Sequence, residues 1–447
     1  MKRATVFLSF VLIGSLVVSS ISVPKQEAIP ASENAALIAL YNAANGDNWY
    51  GNSGWKPPPL HTDGFAMPKT EGNGYIKDKF TALIANAEEL ENHRITAAVW
   101  VPESVFGNIT IPAHASLVGY FAGEPDEPHA ATYFTLRIPE GWESNNRLWV
   151  EQPAGQGNHL SIGSWLVALS RGRAIMIANT FDLNLFALAC NSAKTYPKRM
   201  AQAVRVYKSF IENNFAAVNR VYGVGFSRGA TVMNLVAHLE GTPFDAILSE
   251  SGAGGGQLNI LTYLAYGLKN GVTKAPHPSL ELPTTSPAWI LWAYQTMYAY
   301  LLISDPSYQG AYANWVLEER PQDVQQLLTR KNLWADGNLK TKIIFLSGLL
   351  DPLAPCGETA SLVTKCNSKS QQDNYRLYCS RNYGHGFSIS PDLANAMEIL
   401  ENWVENQTEP GLLVTYQDSG GLQHSKAAGY ENDPVGYMVA VKAGTIN

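Results

Sequence analysis

Cysteine is scarce in this sequence. It occurs four times in 447 residues, at Cys190, Cys356, Cys366 and Cys379. None of the four shows the Cys-x-x-Cys spacing of a zinc site, and we expect neither a metal nor another cofactor. In an oxidising compartment the four cysteines can pair, although the sequence does not choose the connectivity. Because the last three lie within 24 residues of one another, we predict at least one disulfide among them.

The sequence also lacks any block of like charge. The formal net charge of −6 is spread along the chain, and no stripe of Lys and Arg is present. These features argue against a nucleic-acid partner. The hydrophobic fraction of 46% is ordinary for a globular protein. The length is ample for one large domain with insertions or for two domains.

An apolar run near the start is shorter than a typical membrane-spanning helix. Lys2 and Arg3 precede apolar residues from Ala4 to Val18, whereas a spanning helix needs about 20 residues. Small residues follow, and a cut after Ser22 fits the pattern. The alternative is an N-terminal membrane anchor. We expect residues 1–22 to be a signal peptide, and a mature protein that is secreted or periplasmic without stable membrane insertion.

The next segment carries a short resemblance of its own. Residues 31–55 predict a helix with Leu37, Leu40 and Tyr41 on one face. The run Ala-Leu-Ile-Ala-Leu-Tyr-Asn-Ala-Ala-Asn-Gly-Asp-Asn-Trp within it resembles the N-terminal cap of bacterial leucine-rich-repeat proteins, although no such repeat follows. The resemblance implies that residues 23–60 form a capping helix and a Pro-rich linker without chemistry; a recognition role is the alternative.

One serine motif organises the rest of the chain. A short β-prone run, Arg220 to Val224, leads into Gly225-Phe226-Ser227-Arg228-Gly229, and helical spacing follows at once. A serine at such a sharp strand-to-helix turn presents its hydroxyl at the top of a sheet. We expect both glycines to be required, because a Cβ at either position would crowd the turn or a neighbouring strand. The backbone N–H of Arg228 would face a negative charge forming beside Ser227.

Strands alternate with helices on both sides of this motif. Strands are predicted at residues 95–101, 133–138, 147–152, 173–178, 220–224, 244–249, 342–347 and 375–379. The alternation predicts an α/β protein with a mostly parallel, doubly wound sheet that helices cover on both faces. We assign this core to residues 61–256 and 341–409.

A long stretch without strand signals interrupts the core, and a polar tail ends the chain. The stretch, residues 257–340, includes the very apolar run from Pro287 to Ile303, in which Gln295 and Thr296 argue against a membrane span. We predict a helical cap insertion over the functional edge of the sheet. Residues 410–447 form a Gly-rich tail. Short strands are predicted there at residues 412–415 and 436–441.

Three residues with complementary chemistry follow predicted strands. Ser227, Asp351 and His385 each come just after the carboxyl end of a strand, which is where parallel α/β sheets bind ligands. A serine hydroxyl is a poor nucleophile unless a base such as histidine takes its proton, and a carboxylate behind the histidine fixes its tautomer. Glu250, which follows the strand at residues 244–249, is the alternative acid.

These motifs together resemble the α/β-hydrolases over roughly residues 95–405. They are the Gly-x-Ser-x-Gly turn, Gly-Leu-Leu-Asp before Pro352, and Gly-His-Gly after the last core strand. The resemblance implies that Ser227 is the nucleophile, Asp351 the orienting acid and His385 the general acid and base. It implies an oxyanion hole formed by the backbone N–H groups of Arg228 and Gln156.

The resemblance implies a serine hydrolase whose substrate is a small-molecule carboxylic ester, and the predicted signal peptide implies that it is exported. One departure concerns the loop that carries Gln156, which reads Pro-Ala-Gly-Gln-Gly where many lipases and esterases have His-Gly-Gly. Two alternatives remain. One is a serine peptidase of the same fold, with Glu151 or Glu250 as an anchor for a free amino terminus. The other is a catalytically idle binding protein.

Overall fold

The structure, a computed structural model, describes residues 74–106, 109–121, 132–153, 163–179, 196–252, 254–275, 277–329, 335–351, 354, 356–383, 385, 391–410, 413–416, 422–423, 433–443 and 445. All of them belong to one unit, Pro68–Asn447. The predicted signal peptide and the segment resembling a repeat cap lie outside the described residues.

Thirteen strands occur in the described part of the chain. They are β1 Ile95–Val101, β2 Ser104–Phe106, β3 Ile109–Ile111, β4 His114–Phe121, β5 Thr132–Pro139, β6 Arg147–Gln152, β7 Ala174–Asn179, β8 Arg220–Phe226, β9 Ala246–Glu250, β10 Lys342–Leu350, β11 Tyr375–Tyr383, β12 Leu413–Tyr416 and β13 Leu422–Gln423. Eleven of them form one sheet in the order β1-β4-β5-β7-β6-β8-β9-β10-β11-β12-β13, and β2 pairs with β3 separately.

The sheet is parallel where the predicted chemistry lies. Strands β7, β6, β8, β9, β10, β11 and β12 are successively parallel. The pairs β1–β4, β4–β5, β5–β7 and β12–β13 are antiparallel. Parallel neighbours bring their carboxyl ends to one edge of the sheet, so the loops after β8, β9, β10 and β11 meet there.

Helices connect the strands. They are α1 Tyr75–Ala85, α2 Ala87–Asn92, α3 Gly163–Ser170, α4 Tyr196–Asn214, α5 Arg228–Ala237, α6 Gln257–Asn270, α7 Pro287–Ser304, α8 Gln322–Leu328, α9 Cys356–Ser368, α10 Pro391–Glu405 and α11 Pro434–Ala443. Short 3₁₀ turns lie at Trp142–Ser144, Pro278–Leu280, Tyr312–Asn314, Leu317–Glu319 and Gln372–Asn374.

Two apolar layers enclose the sheet. Strand β8 shows why: Val221 packs into a cluster that includes residues of α4 and α5, whereas Tyr222 and Val224 pack into a second cluster that includes residues of α3 and α10. Alternate side chains of a strand point to opposite faces. Both faces are therefore buried, and the predicted doubly wound α/β architecture is confirmed.

Helices also occupy the predicted insertion between β9 and β10. Helix α7 starts at Pro287, and the Ser286 hydroxyl caps it by accepting a hydrogen bond from the Trp289 N–H at 3.1 Å. Trp289 and Met297 of α7 pack with Leu264 of α6 in a third apolar cluster. Within the described ranges, no helix has both the length and the apolar character needed to cross a membrane.

The tail differs from its prediction in one element. The strand predicted at residues 412–415 is present as β12, but residues 436–441, predicted as a strand, belong to helix α11. Tyr437, Met438 and Val441 are buried in the core at helical spacing. The Asp433 side chain accepts a hydrogen bond from the Gly436 N–H at 2.9 Å at the start of the helix. A short apolar run fits either structure, and tertiary packing decided between them.

The disulfide predicted among the last three cysteines is wrong. Cys356, Cys366 and Cys379 are free and buried. Cys356 and Cys366 lie ten residues apart on α9, which is about 15 Å along a helix and too far for a disulfide. Burial raises the pKa of the Cys356 and Cys366 thiols to about 12 and also raises that of Cys379. Cys190 lies outside the described residues.

Candidate active site

The turn between β8 and α5 holds Ser227 in a strained conformation. Its φ is 55° and its ψ −118°, a region that costs a non-glycine residue about 1–3 kcal/mol. Its N–H donates to the backbone oxygen of Glu250 at 2.9 Å. A Cβ on Gly229 would lie 2.0 Å from the backbone oxygen of Gln152, and one on Gly225 2.6 Å from that of Gly229. The predicted need for both glycines is confirmed.

The structure brings Ser227, His385 and Asp351 into one hydrogen-bonded line. Nε2 of His385 lies 2.7 Å from Ser227 Oγ, and Nδ1 lies 2.8 Å and 3.0 Å from the two carboxylate oxygens of Asp351. Strands β10 and β11 are adjacent, so the residues that follow them meet. With a proton on Nδ1, the imidazole donates to Asp351, and its Nε2 accepts the Ser227 hydroxyl.

Asp351 is completely buried and held by a second donor. Its exposed fraction is 0%, and the Ala354 N–H donates to its Oδ1 at 2.9 Å. The His385 side chain is 17% exposed, and its ring centroid lies 5.0 Å from that of Phe226. The histidine thus has a fixed carboxylate behind it and an aromatic ring beside it. An arrangement of this kind can deprotonate a serine hydroxyl and stabilise the imidazolium that results.

The alternative acid, Glu250, lies elsewhere at this edge of the sheet. Its backbone oxygen supports Ser227, and its side chain lines a cavity of about 10 Å³ together with Glu151 and Ser164. The Ser164 hydroxyl donates to the Glu151 carboxylate. The carboxylate in contact with His385 Nδ1 is that of Asp351. The geometry therefore favours Asp351 over Glu250 as the orienting acid.

One predicted oxyanion donor is described. Arg228 is the first residue of α5, and a helix N-terminus presents N–H groups and a positive dipole end to nearby negative charge. The Arg228 guanidinium lies 5.6 Å from the ring centroid of Tyr300 in α7, so the insertion contacts the residue next to Ser227. Gln156, predicted as the second donor, lies outside the described residues and stays a prediction.

Sequence reasoning missed three residues around the site. Phe226 flanks the histidine, Ala354 supports the acid through its N–H, and Tyr300 meets Arg228. Only Phe226 carries a local signal, because it directly precedes the serine in the motif. A backbone N–H carries no residue-type signal. Tyr300 is 72 positions from Arg228 in the sequence, so only folding reveals that pair.

Solved structures are similar to this chain in fold, whereas sequence comparisons find no match. No protein-family model and no curated protein matches the chain. Feruloyl esterase B from Aspergillus oryzae is 12% identical, with 75% of this chain and 91% of that chain covered and a TM-score of 0.55. An esterase from Aspergillus oryzae is also 12% identical, with 78% and 94% covered and a TM-score of 0.54.

At such identities the likeness concerns the fold. None of these matches supports the resemblance of residues 31–55 to a leucine-rich-repeat cap. The two esterase structures match this chain over 75% and 78% of its length with TM-scores above 0.5. This chain has the α/β-hydrolase fold.

Proposed function

We propose that this protein is a serine hydrolase that cleaves carboxylic esters through an acyl-enzyme. The observation that carries the proposal is the line of hydrogen bonds from Asp351 through His385 to Ser227. His385 takes the hydroxyl proton as Ser227 attacks the ester carbonyl, and then gives that proton to the leaving alcohol. Water, activated by the same histidine, releases the acid. The Arg228 N–H, with Gln156 as the proposed second donor, stabilises the oxyanion.

Two observations favour an ester substrate over a peptide with a free amino terminus. Glu151 and Glu250, the candidate anchors for an ammonium group, are 1% and 3% exposed. The cavity that they share holds about 10 Å³, which accommodates about one water molecule. The two structures of similar fold are an esterase and a feruloyl esterase by description. The hydrogen bonds that join Ser227, His385 and Asp351 argue against the alternative of a catalytically idle binding protein.

A covalent probe tests the proposal. A fluorophosphonate should label the protein at Ser227, and peptide mapping should place the label on the segment between Arg220 and Arg228. A panel of esters and aminoacyl amides would then show turnover of esters in excess of amides. Labelling at another residue, or equal labelling of the Ser227→Ala variant, would refute the assignment. Labelling at Ser227 with faster turnover of amides would favour the peptidase alternative.

Export with signal cleavage is a separate part of the proposal. The basic start, the apolar run and the small residues up to Ser22 support a mature protein that begins near Val23. The intact mass of protein exported from its host checks this. A mass that includes Met1 and the apolar run would contradict it.

A further inference from the structure

His238 joins the helix that follows Ser227 to the segment that leaves the insertion. It comes directly after the last residue of α5, and its Nδ1–H donates to the backbone oxygen of Asn234 at 2.6 Å. Its Nε2 accepts from the Gly337 N–H at 3.2 Å. A backbone oxygen only accepts and a backbone N–H only donates, so the two contacts together require a neutral imidazole with its proton on Nδ1. A protonated ring would have no acceptor for Gly337.

Gly337 belongs to the exit stem, residues 335–341, through which the chain passes from the insertion into β10. Gly337 is buried and its φ is 87°. A Cβ on it would lie 2.5 Å from the backbone carbonyl carbon of Lys365 in α9, so the stem packs directly against that helix. A buried N–H that loses its acceptor costs free energy. Loss of the His238 acceptor should therefore favour movement of the exit stem away from this position.

The other stem of the insertion consists of glycines. Residues 254–256 are Gly-Gly-Gly, and Gly256 has a φ of 94° directly before α6. The two stems meet, because the Ala335 N–H donates to the Gly255 oxygen at 3.1 Å. Glycine allows wide backbone rotation. The glycine stem can therefore act as a hinge, while His238 holds the exit stem.

Burial and nearby charges set the protonation of His238. Burial lowers the pKa of the imidazole from its ordinary value of 6.5, its backbone hydrogen bond and Asp336 raise it, and Lys365 and Lys340 lower it. Lys340 also pairs with the Glu240 carboxylate at 2.6 Å. The net shift is downward, so the folded protein keeps the ring neutral at pH 7. A ring released from these surroundings binds a proton more readily.

We propose that His238 is an acid-sensitive tie, which holds the exit stem of the insertion near neutral pH and releases it in acid. Above the ordinary histidine pKa of 6.5 the tie is intact. Below that value the released stem binds a proton that the held stem binds less well, so falling pH favours release. Tyr300 of the insertion contacts Arg228, so release would loosen the protein beside Ser227. That last consequence rests on the proposed function, whereas the tie itself does not.

Hydrogen exchange in the full-length protein tests the proposal without turnover. The reporters are the stem amides of Ala335, Gly337 and Lys340, which donate to Gly255, His238 and Ala237. After correction for intrinsic exchange, their protection should fall by about tenfold between pH 7.5 and pH 5. Protection of strand β8 should not fall in parallel. A local measurement is needed because Glu358, whose pKa burial raises to about 7, changes global stability in the same range with the opposite sign.

Two histidine variants locate the effect. In His238→Gln the new side chain does not titrate, so stem protection should be nearly equal at the two pH values. His277→Gln is the matched control, because His277 is an exposed histidine of the insertion whose Nδ1 accepts from the Ser279 N–H at 3.2 Å. It should keep the pH dependence of the parent protein. Circular dichroism checks the fold of each variant.

Nuclear magnetic resonance of the parent protein determines the tautomer directly and needs no variant. At pH 7.5 the nitrogen-15 chemical shifts of His238 should show a proton on Nδ1 and none on Nε2. On acidification the ring should become protonated only below its ordinary pKa of 6.5.

Four results would overturn the proposal. The first is a neutral His238 that carries its proton on Nε2. The second is stem protection in the parent protein that does not change between pH 7.5 and pH 5. The third is an equal pH dependence of stem protection in His238→Gln and the parent. The fourth is a loss of protection in β8 as large as that in the stem, because the whole protein would then be unfolding. None of these outcomes bears on whether Ser227 hydrolyses esters.

Discussion

Asp351 and Glu358 are buried carboxyl groups only seven residues apart, yet their surroundings differ. Asp351 is 0% exposed, and its two oxygens contact His385 while the Ala354 N–H donates to one of them. Glu358 is 7% exposed, and its Oε2 has no partner among the described residues. The first carboxyl group is held in one orientation by its partners. The second keeps a buried acceptor oxygen without a described partner.

The comparison shows that burial alone does not place a carboxylate in hydrogen-bond contact with the proposed catalytic histidine. Removal from water disfavours the charged form, whereas hydrogen bonds and nearby cations favour it. Desolvation is the largest influence on Glu358 and raises its pKa to about 7. Asp351 contacts two donors, the Ala354 N–H and His385 Nδ1, which come from two different segments of the chain. We therefore expect substitutions of the two residues to change different properties of the protein.

The largest effect should follow from removing the Ser227 hydroxyl, which ends the hydrogen bonds that run from Asp351 through His385. Ser227→Ala should abolish ester turnover and leave the fold intact, because Ser227 is the nucleophile that hydrogen-bonds to His385 Nε2 among the described residues. In other serine hydrolases, loss of the nucleophile costs on the order of 10⁶ in kcat. Steady-state kinetics with circular dichroism measures this. Full activity in Ser227→Ala would refute the catalytic assignment as a whole.

Asp351→Asn should lower the rate on the order of 10⁴-fold, because an amide leaves the histidine in the wrong tautomer. Glu250→Gln is the matched control at the neighbouring strand end, and we expect a far smaller loss. Kinetics of the two variants on one ester decides between them. A crippled Glu250→Gln with a mild Asp351→Asn would reverse the assignment of the acid and leave the fold unaffected.

Glu358→Gln should change stability instead of the chemical step. The folded-state pKa of about 7 lies above the ordinary value of 4.5, so the folded state binds more protons between these two values. The free energy of unfolding of the parent protein should therefore fall as pH rises through this window.

The variant should lose that dependence. At pH 8 we expect it to be more stable than the parent by on the order of 2 kcal/mol, with little difference near pH 5. Urea unfolding at the two pH values measures this, and ester turnover should stay close to that of the parent. Identical pH profiles for variant and parent would show that Glu358 does not titrate in this range.

The smallest effect concerns Cys356, which lies between the two carboxyl groups in the sequence. Its thiol is fully buried, and burial raises its pKa to about 12. Because thiolates are the reactive form, Cys356, Cys366 and Cys379 should resist alkylation at pH 8 in the folded protein. They should react once it is unfolded without reductant. Mass spectrometry of the labelled peptides shows this, and rapid labelling of the folded protein would contradict the burial.

Much of the fold was predictable because its signals are local. The strands that became β6, β8, β9, β10 and β11 are short buried runs followed by loops with Gly, Asp or His. The serine turn needs two glycines within five residues, which a sequence shows directly. The order of Ser227, Asp351 and His385 follows from where these strands end. The sequence alone therefore determined the α/β class and named the three residues that the structure brings together.

The remaining features depend on residues far apart in the chain. Strand β4, from His114 to Phe121, was not predicted, and its pairing with β1 and β5 shows only in the sheet. Residues 436–441 form a helix because Tyr437 and Val441, four residues apart, both pack into the core.

The different surroundings of Asp351 and Glu358 are also visible only in the tertiary structure. Both are acidic residues near the same strand end in the sequence. Their partners, His385 for the first and Asn259 for the second, come from segments that meet only when the chain folds. Hydrogen bonding and desolvation are set by those neighbours, not by sequence spacing.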